Sequence, residues 1–309
     1  MKHSLKIVML LLGMFFVTQL IGVLVVNIYS PHIEEVVDET GNVINTTSYN
    51  LPYGMDPPGD ISPGQTLMSI IISIIIAVVF ILILMKYKAE LFLRIWFLIV
   101  VALALGITIN SFLLGIRYSS LVALIIAIPL ALIKLFKRSI IVHNITELLI
   151  YPGIAALFVP LLNVWTVVLL LILISIYDIY AVWHAGFMQK MAEYQIKRLK
   201  FFTGFFVPYL GRKERMLLKQ VKKNTKLKNK KIKVNVAILG GGDVVFPIIL
   251  AGVVLNHIGF IQALLINIFA TLSLAWLFYI SKKGRFYPAM PFISIGCFIG
   301  LLVGLIILN

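Results

Sequence analysis

The sequence predicts an all-α protein that crosses a membrane nine times. Three observations carry that expectation. Hydrophobic residues make up 61% of the 309 residues against 13% charged, with a mean hydropathy of +1.04, far from the balance of a soluble domain. The apolar residues gather into nine runs, most of them close to the about 20 residues that a helix needs to cross the hydrocarbon layer. Lys and Arg are confined to alternate loops, as their retention on the cytoplasmic side requires. Nine spans consume roughly 180 residues, which leaves loops but no separate globular catalytic domain.

In chain order the spans are expected at 7–28, 66–85, 92–113, 119–133, 147–162, 165–183, 236–254, 258–280 and 288–308. The first sits where a signal peptide would. Its apolar stretch exceeds the about 7 to 15 residues of such a segment and no small-x-small cleavage site follows, so it reads as an uncleaved helix. Residues 29–65 carry Glu34, Glu35, Asp38, Glu39, Asp56 and Asp60 with no Lys or Arg, and Pro52, Pro57, Pro58, Pro63 and Gly64 punctuate them. This reads as an irregular extracytoplasmic segment, with a glycosylation sequon at Asn45-Thr46-Thr47.

Only Leu162-Asn163-Val164 separates the fifth and sixth runs, so an eight-span reading competes. Charge decides between them. Lys2 and Lys6, then Lys86, Lys88 and Arg94, then Lys134, Lys137 and Arg138, then 15 basic residues from Lys190 to Lys233, then Lys282, Lys283 and Arg285 all share one side if there are nine spans, leaving Arg117 alone opposite. Eight spans would put the two richest loops outside. The chain is therefore expected to be multi-pass in the cell membrane, N-terminus cytoplasmic and C-terminus extracytoplasmic. It divides into spans one to six with the acidic loop (1–189), a basic cytoplasmic loop (190–235) and spans seven to nine (236–309).

Within the basic loop, 199–210 is aromatic, with Phe201, Phe202, Phe205, Phe206 and Tyr209, and reads as an interfacial segment. The lysine-rich 212–233 reads as a solvated linker on anionic headgroups. A gate over the space between the sixth and seventh spans is the competing reading. The net charge of +15 thus serves topology and lipid, and nucleic acid is not an expected partner. The single cysteine, Cys297, lies in an apolar run and excludes a disulfide, zinc or cysteine-pair redox centre within one chain.

Burying a carboxylate at mid-bilayer costs at least about 2.5 to 3.5 kcal/mol, so acids inside spans usually face the bundle interior and act. Two qualify: Asp178 in the sixth span and Asp243 in the seventh. Glu90, Glu147 and Glu193 sit at span edges and read as boundary residues. If the sixth helix runs to about Gln189, Asp178 lies about 16 Å from that end; Asp243 lies about 12 Å after a start near Asn235. Antiparallel neighbours would bring both carboxyls to one level. Paired carboxylates share a proton, one accepting from water while the other polarises a scissile carbonyl, chemistry that needs neither metal nor cofactor. A proton or cation pathway in a secondary transporter uses the same acids.

The surroundings of the acids favour proteolysis. Gly240, Gly241 and Gly242 before Asp243 allow another backbone to approach, although small-residue helix packing explains them equally well. Tyr177 precedes the first aspartate. Pro288-Ala289-Met290-Pro291 opens the ninth span and removes amide donors, freeing carbonyls that an extended strand could meet.

Tyr177-Asp178, Gly240-Gly241-Gly242-Asp243 and Pro288-Ala289-Met290 in the sixth, seventh and ninth spans resemble the three motifs of the presenilin and signal peptide peptidase family of intramembrane aspartyl proteases. The span count and the long loop between spans six and seven resemble it as well. Prepilin-type peptidases share Gly-x-Gly-Asp but have fewer spans and lack the proline motif. Met290 departs from the family's Leu, a near match in volume that implies altered substrate fit. The orientation resembles presenilin; signal peptide peptidase is inverted. The resemblance implies Asp178 and Asp243 as the catalytic dyad, and Tyr177, Gly240, Gly241, Gly242, Pro288, Ala289 and Met290 as substrate-binding, with no cofactor and no metal. It implies transmembrane-helix proteins or peptides as substrates and leaves a homo-oligomer open. A transporter would usually show a repeated half, and none is found. His143, His184 and His257 at span edges, Trp96, Trp165 and Trp183 at belt positions, Arg117 in an outside loop, and Asn110 and Asn267 at mid-span read as structural.

Overall fold

The computed structural model describes residues 5–37, 43–55, 63–87, 89–137, 139–185, 203–209, 235–281 and 287–308. The headgroup-binding tract expected at 212–233 and the continuation of the sixth helix to Gln189 lie outside them. In order the elements are α1 (Leu5–Ile28), β1 (His32–Val37), β2 (Val43–Ser48), α2 (Pro63–Lys86), α3 (Glu90–Phe112), α4 (Ser119–Phe136), α5 (Ile140–Phe158) and α6 (Val164–Tyr180). There follow β3 (Gly204–Tyr209), β4 (Asn235–Gly240), α7 (Gly241–His257), α8 (Phe260–Ile280) and α9 (Met290–Leu308). Among the described residues, eight helices are long and apolar enough to cross a membrane; α7, at 17 residues, is shorter.

The break between α5 and α6 is real and local. Pro160 falls in a 3-10 turn, Val159–Leu161, and Asn163 then caps α6. Its side chain accepts from the Thr166 amide at 2.9 Å, while Thr166 Oγ1 accepts from the Asn163 amide at 2.9 Å. This reciprocal pair satisfies two amides that a helix start would leave orphaned, so three residues suffice to separate one helix from the next.

Helix α7 is the centre of the bundle. Val244 and an unbroken run from Pro247 to Val254 are buried, as expected of a helix that is apolar on every face. Helices α1, α5, α8, α6 and α9 pack around it. Close approach depends on small residues. A Cβ at Gly22 would collide with the Ile248 side chain, and one at Gly153 with the Ala104 carbonyl oxygen, so a side chain of α7 packs directly on the backbone of α1 and α5 meets α3 nearly backbone to backbone.

Two departures from the sequence reading alter how the site is built. The seventh span does not begin as a helix: residues Asn235–Gly240 form β4, antiparallel to β3, with Gly204 opposite Gly240 and Tyr209 opposite Asn235. Burial alternates along it, with Ala237 and Leu239 inside and Ile238 outside, which is the strand period. Nor is the aromatic stretch an interfacial segment where it is described. Phe205 and Val207 of β3 point into the core with the same alternation. Within 29–65, β1 pairs with β2 from His32 opposite Ser48 to Val37 opposite Val43. Their Val, Ile and Thr content suits strands. Tyr53, at φ 67°, then anchors the chain by donating to the Ser120 carbonyl at 3.1 Å.

Glu147 is not a wetted boundary residue. It is 1% exposed and paired with Lys134 of α4, itself buried, and His143 Nε2 lies 3.7 Å from the same carboxylate oxygen. The buried ammonium and carboxylate are paired with one another, and His143 flanks the carboxylate. Glu147→Ala strands a buried ammonium and is expected to destabilise the protein by about 3–5 kcal/mol, whereas Lys134→Met with Glu147→Gln recovers most of that loss. Thermal unfolding of the purified variants in one detergent measures both.

Candidate active site

Asp178 is the third-last residue of α6 and is 5% exposed. Beyond Tyr180 the chain tightens no further but widens into a π turn, Ala181–Ala185, a distortion that gathers at functional sites. Asp178 Oδ2 accepts a hydrogen bond from the Met290 amide at 3.1 Å, and the Ala289 amide also acts on the carboxylate. Met290 is the first residue of α9, so its N–H is one of those that a helix start cannot satisfy itself. Pro288 and Met290 are buried, while Ala289 is half-buried. The sequence predicts that this stretch frees carbonyls; the described contact is the opposite one, an amide given to the aspartate. Tyr177 is 49% exposed, on a different face of α6 from Asp178.

Asp243 stands in the first turn of α7, not two turns in, because the strand has replaced the expected start of the helix. It is the third helical residue after Gly240, and its carboxylate reaches back to the Gly240 amide. That is the helix-facing half of a capping box, with the helix dipole favouring negative charge at the same place. The carboxyls of Asp178 and Asp243 are near enough for their charges to act on one another. The two helices that carry them are in direct contact.

The three glycines are not there for their dihedral freedom, since none of them has a positive φ. They are there for room, each differently. A Cβ at Gly240 would lie 3.1 Å from Asp243 Oδ2. One at Gly241 would lie 2.9 Å from the Tyr151 ring and hydroxyl. At Gly242 it would meet only the Phe246 ring, at 3.7 Å, and the residue is exposed. So Gly240 leaves space for the carboxylate, Gly241 for a side chain of α5, and Gly242 faces an opening.

With this geometry in view, the sequence matches the family described as signal-peptide peptidase, presenilin aspartyl protease, over residues 53–309. The chain belongs to that family. Among solved structures it is similar to a presenilin family intramembrane aspartate protease in a C222 crystal, with a TM-score of 0.61 and 18% identity over 97% of this chain and 99% of that one. A P2 crystal of a presenilin family intramembrane aspartate protease gives a TM-score of 0.57 and 17% identity over 96% of each chain. These two likenesses establish the shared fold. No curated protein matches. The family is one of aspartyl proteases that work in membranes, and the multi-pass helical architecture agrees with it.

Of the residues that brace this presenilin-like site, Gln19, Ser175 and Ser294 escape a sequence reading, whereas Asn267 is expected from it as a mid-span group that bonds between helices. Gln19 of α1 is fully buried and donates to the Val244 carbonyl at 2.9 Å, one residue past Asp243, and Asn267 of α8 donates to the Gln19 carbonyl at 3.3 Å. Ser175 of α6 bonds Ser294 of α9 at 2.9 Å, one turn from Asp178. The signal was present, since an amide in the middle of an apolar run must find a partner on another helix. If Gly240 is kept free for the carboxylate, Gly240→Ala should lower kcat by on the order of tenfold to a hundredfold with KM little changed. Gly242→Ala, which fills the opening, should act mainly on KM. Steady-state kinetics on a single-span substrate separates the two.

Proposed function

We propose that this protein hydrolyses peptide bonds within transmembrane helices of other membrane proteins, with Asp178 and Asp243 as its catalytic dyad. The observation that supports the reading is that two acids stand on adjoining helices, Asp178 bonded by the Met290 amide and Asp243 in the first turn of α7 within the field of Asp178. Two such groups share one proton. The ionised member takes a proton from a bound water as its oxygen attacks the scissile carbonyl, and the protonated member gives its proton to the carbonyl oxygen. The tetrahedral diol then collapses. One hydroxyl returns a proton to the dyad, the C–N bond breaks, and the leaving nitrogen is protonated by the other aspartate. Water is consumed, and the dyad ends as it began.

A helix hides its peptide bonds behind its own hydrogen bonds, so a substrate must unwind to be cut. Strand β4 supports that step, because it runs directly into Gly241 and Asp243 and, among the described residues, pairs only with β3. Its second edge is a template for an extended segment, a mode in which main-chain bonds supply affinity and pockets supply selectivity. Gly242, Tyr177 and the Pro288-Ala289-Met290 stretch border the same space in this reading. Entry from the lipid is favoured beside α2, whose apolar window is nowhere buried and which touches α3 and α6 only sparsely. The distribution of Lys and Arg supports a cytoplasmic position for the aspartate end of the bundle.

Asp178→Asn and Asp243→Asn are each expected to abolish turnover while thermal unfolding stays near that of the parent, and the double variant should be no worse than either single one. A single variant that keeps near-parental turnover on a verified substrate excludes the dyad. Cleavage should fall in the cytoplasmic half of the substrate span and favour helix-weakening Gly or β-branched residues. Mass spectrometry of the products decides this, and cuts confined to the opposite end or to soluble tails would reverse the orientation.

A further inference from the structure

Beside the dyad, α5 presents a row of polar and aromatic groups that the hydrolytic reading does not use. His143, Glu147 and Tyr151 are spaced four apart and therefore share a face. His143 Nε2 meets the Gly204 carbonyl at 2.8 Å. Asn144, its neighbour, grips one residue of β3 from both sides, donating to the Phe206 carbonyl at 3.0 Å and accepting from the Phe206 amide at 3.0 Å. That amide thus completes the backbone pairing of β3 as another strand would. Tyr151, two turns further on, is 3% exposed and packs edge-on against Phe205 with ring centroids 5.8 Å apart. The far side of the same ring fills the space over Gly241, where a Cβ would lie 2.9 Å from the ring and from the hydroxyl. The Tyr151 hydroxyl has no partner at hydrogen-bond geometry among the described residues, although the Glu147 carboxylate acts on it, and what the side chain supplies over Gly241 is the bulk of its ring.

We propose that Tyr151 is a positioning residue for Asp243: wedged between Phe205 of β3 and Gly241, with the Asn144 clasp fixing β3, it sets the course of the chain from β4 into α7 and hence the place of the Asp243 carboxyl. The proposal rests on the dyad reading above. The Lys134–Glu147 pair holds the middle of the same face in register, between the residues that grip β3 and the ring that meets Gly241. Tyr151 and residue 241 then form a size-matched pair, and the glycine at 241 is required by the tyrosine. A side chain at 241 displaces the strand-to-helix junction as long as Tyr151 is in place, and it has room once Tyr151 is removed. The effect falls on catalysis more than on binding, because the wedge acts on the acid and leaves the opening at Gly242 unchanged.

The test uses the full-length protein in detergent with a single-span peptide substrate, measuring kcat, KM and thermal unfolding. Gly241→Leu should lower kcat by about a hundredfold with KM little changed. Tyr151→Ala should also lower kcat, and Tyr151→Phe, which keeps the ring, should restore it to within about threefold of the parent. The Gly241→Leu, Tyr151→Ala double variant should regain at least about tenfold over Gly241→Leu, a coupling that independent sites do not show. Should Gly241→Leu fail to fold, Gly241→Ala is measured with and without Tyr151→Ala, and its loss is expected in the tyrosine background alone. Additive effects in either cycle, or a Gly241 variant as active as the parent, overturn the proposal while an inactive Asp243→Asn leaves the dyad standing. An active Asp243→Asn removes the dyad and this proposal together.

Discussion

A helix begins with amides that its own carbonyls cannot reach, and inside a bilayer no solvent is at hand to take them. Asp178 and Asp243 occupy two such places. The Met290 amide at the head of α9 is bonded by Asp178 from across the bundle, and Asp243 stands in the first turn of α7 with its carboxylate beside the Gly240 amide. Much of the architecture near the site follows from that arrangement. The proline at 291 leaves no competing donor at the next position of α9, and the strand before α7 delivers a free helix start to the level at which α6 is ending. The same donors that hold the carboxylates in place offset part of the cost of keeping two acids away from water.

Around this point the bundle is tied together by polar groups, one helix pair at a time. Gln19 joins α1 to α7, Asn267 joins α8 to α1, Ser175 and Ser294 join α6 to α9, and Asn144 joins α5 to β3. Helices in lipid gain little from hydrophobic burial against one another, so packing of small residues and bonds of this kind determine which helix lies beside which. Of those four ties, the ones through Gln19 and Ser175 reach within one turn of an aspartate. Asn110 serves the other end, donating to the Tyr29 hydroxyl at 2.9 Å, which itself donates to the Ile107 carbonyl.

Much of the fold is legible in the sequence because a bilayer leaves so few ways to bury a backbone. Apolar runs long enough to span become helices, and the Asn163-to-Thr166 box shows that the narrow gap between α5 and α6 carries its own stop signal. The two aspartates stand out as acids in apolar surroundings. What periodicity alone does not reveal is β4. Its residues are as apolar as those of the helix that follows, and only the partner strand, some 30 residues earlier in the chain, makes the extended form favourable. A helix start misplaced by one and a half turns also misplaces Asp243 along it. Glu147 is hard to read for a related reason: a charge at a span edge looks wetted until the buried Lys134 of the preceding helix is seen beside it. The roles of the glycines depend on neighbours in space, Tyr151 above all, and a linear motif does not record those.

Strand β4 has one further consequence. Among the described residues the sheet has two strands, which leaves a row of amides and carbonyls of β4 without sheet partners there, and hydrocarbon cannot serve them. On the reading proposed above, water wets that edge between encounters with substrate, and hydration of the cleft is then a condition of folding as well as of hydrolysis. An arriving peptide would displace that solvent and take over its hydrogen bonds, releasing water within reach of the two carboxyls. Such a cleft would carry its own supply of co-substrate below the membrane surface, and its dryness would mark occupancy.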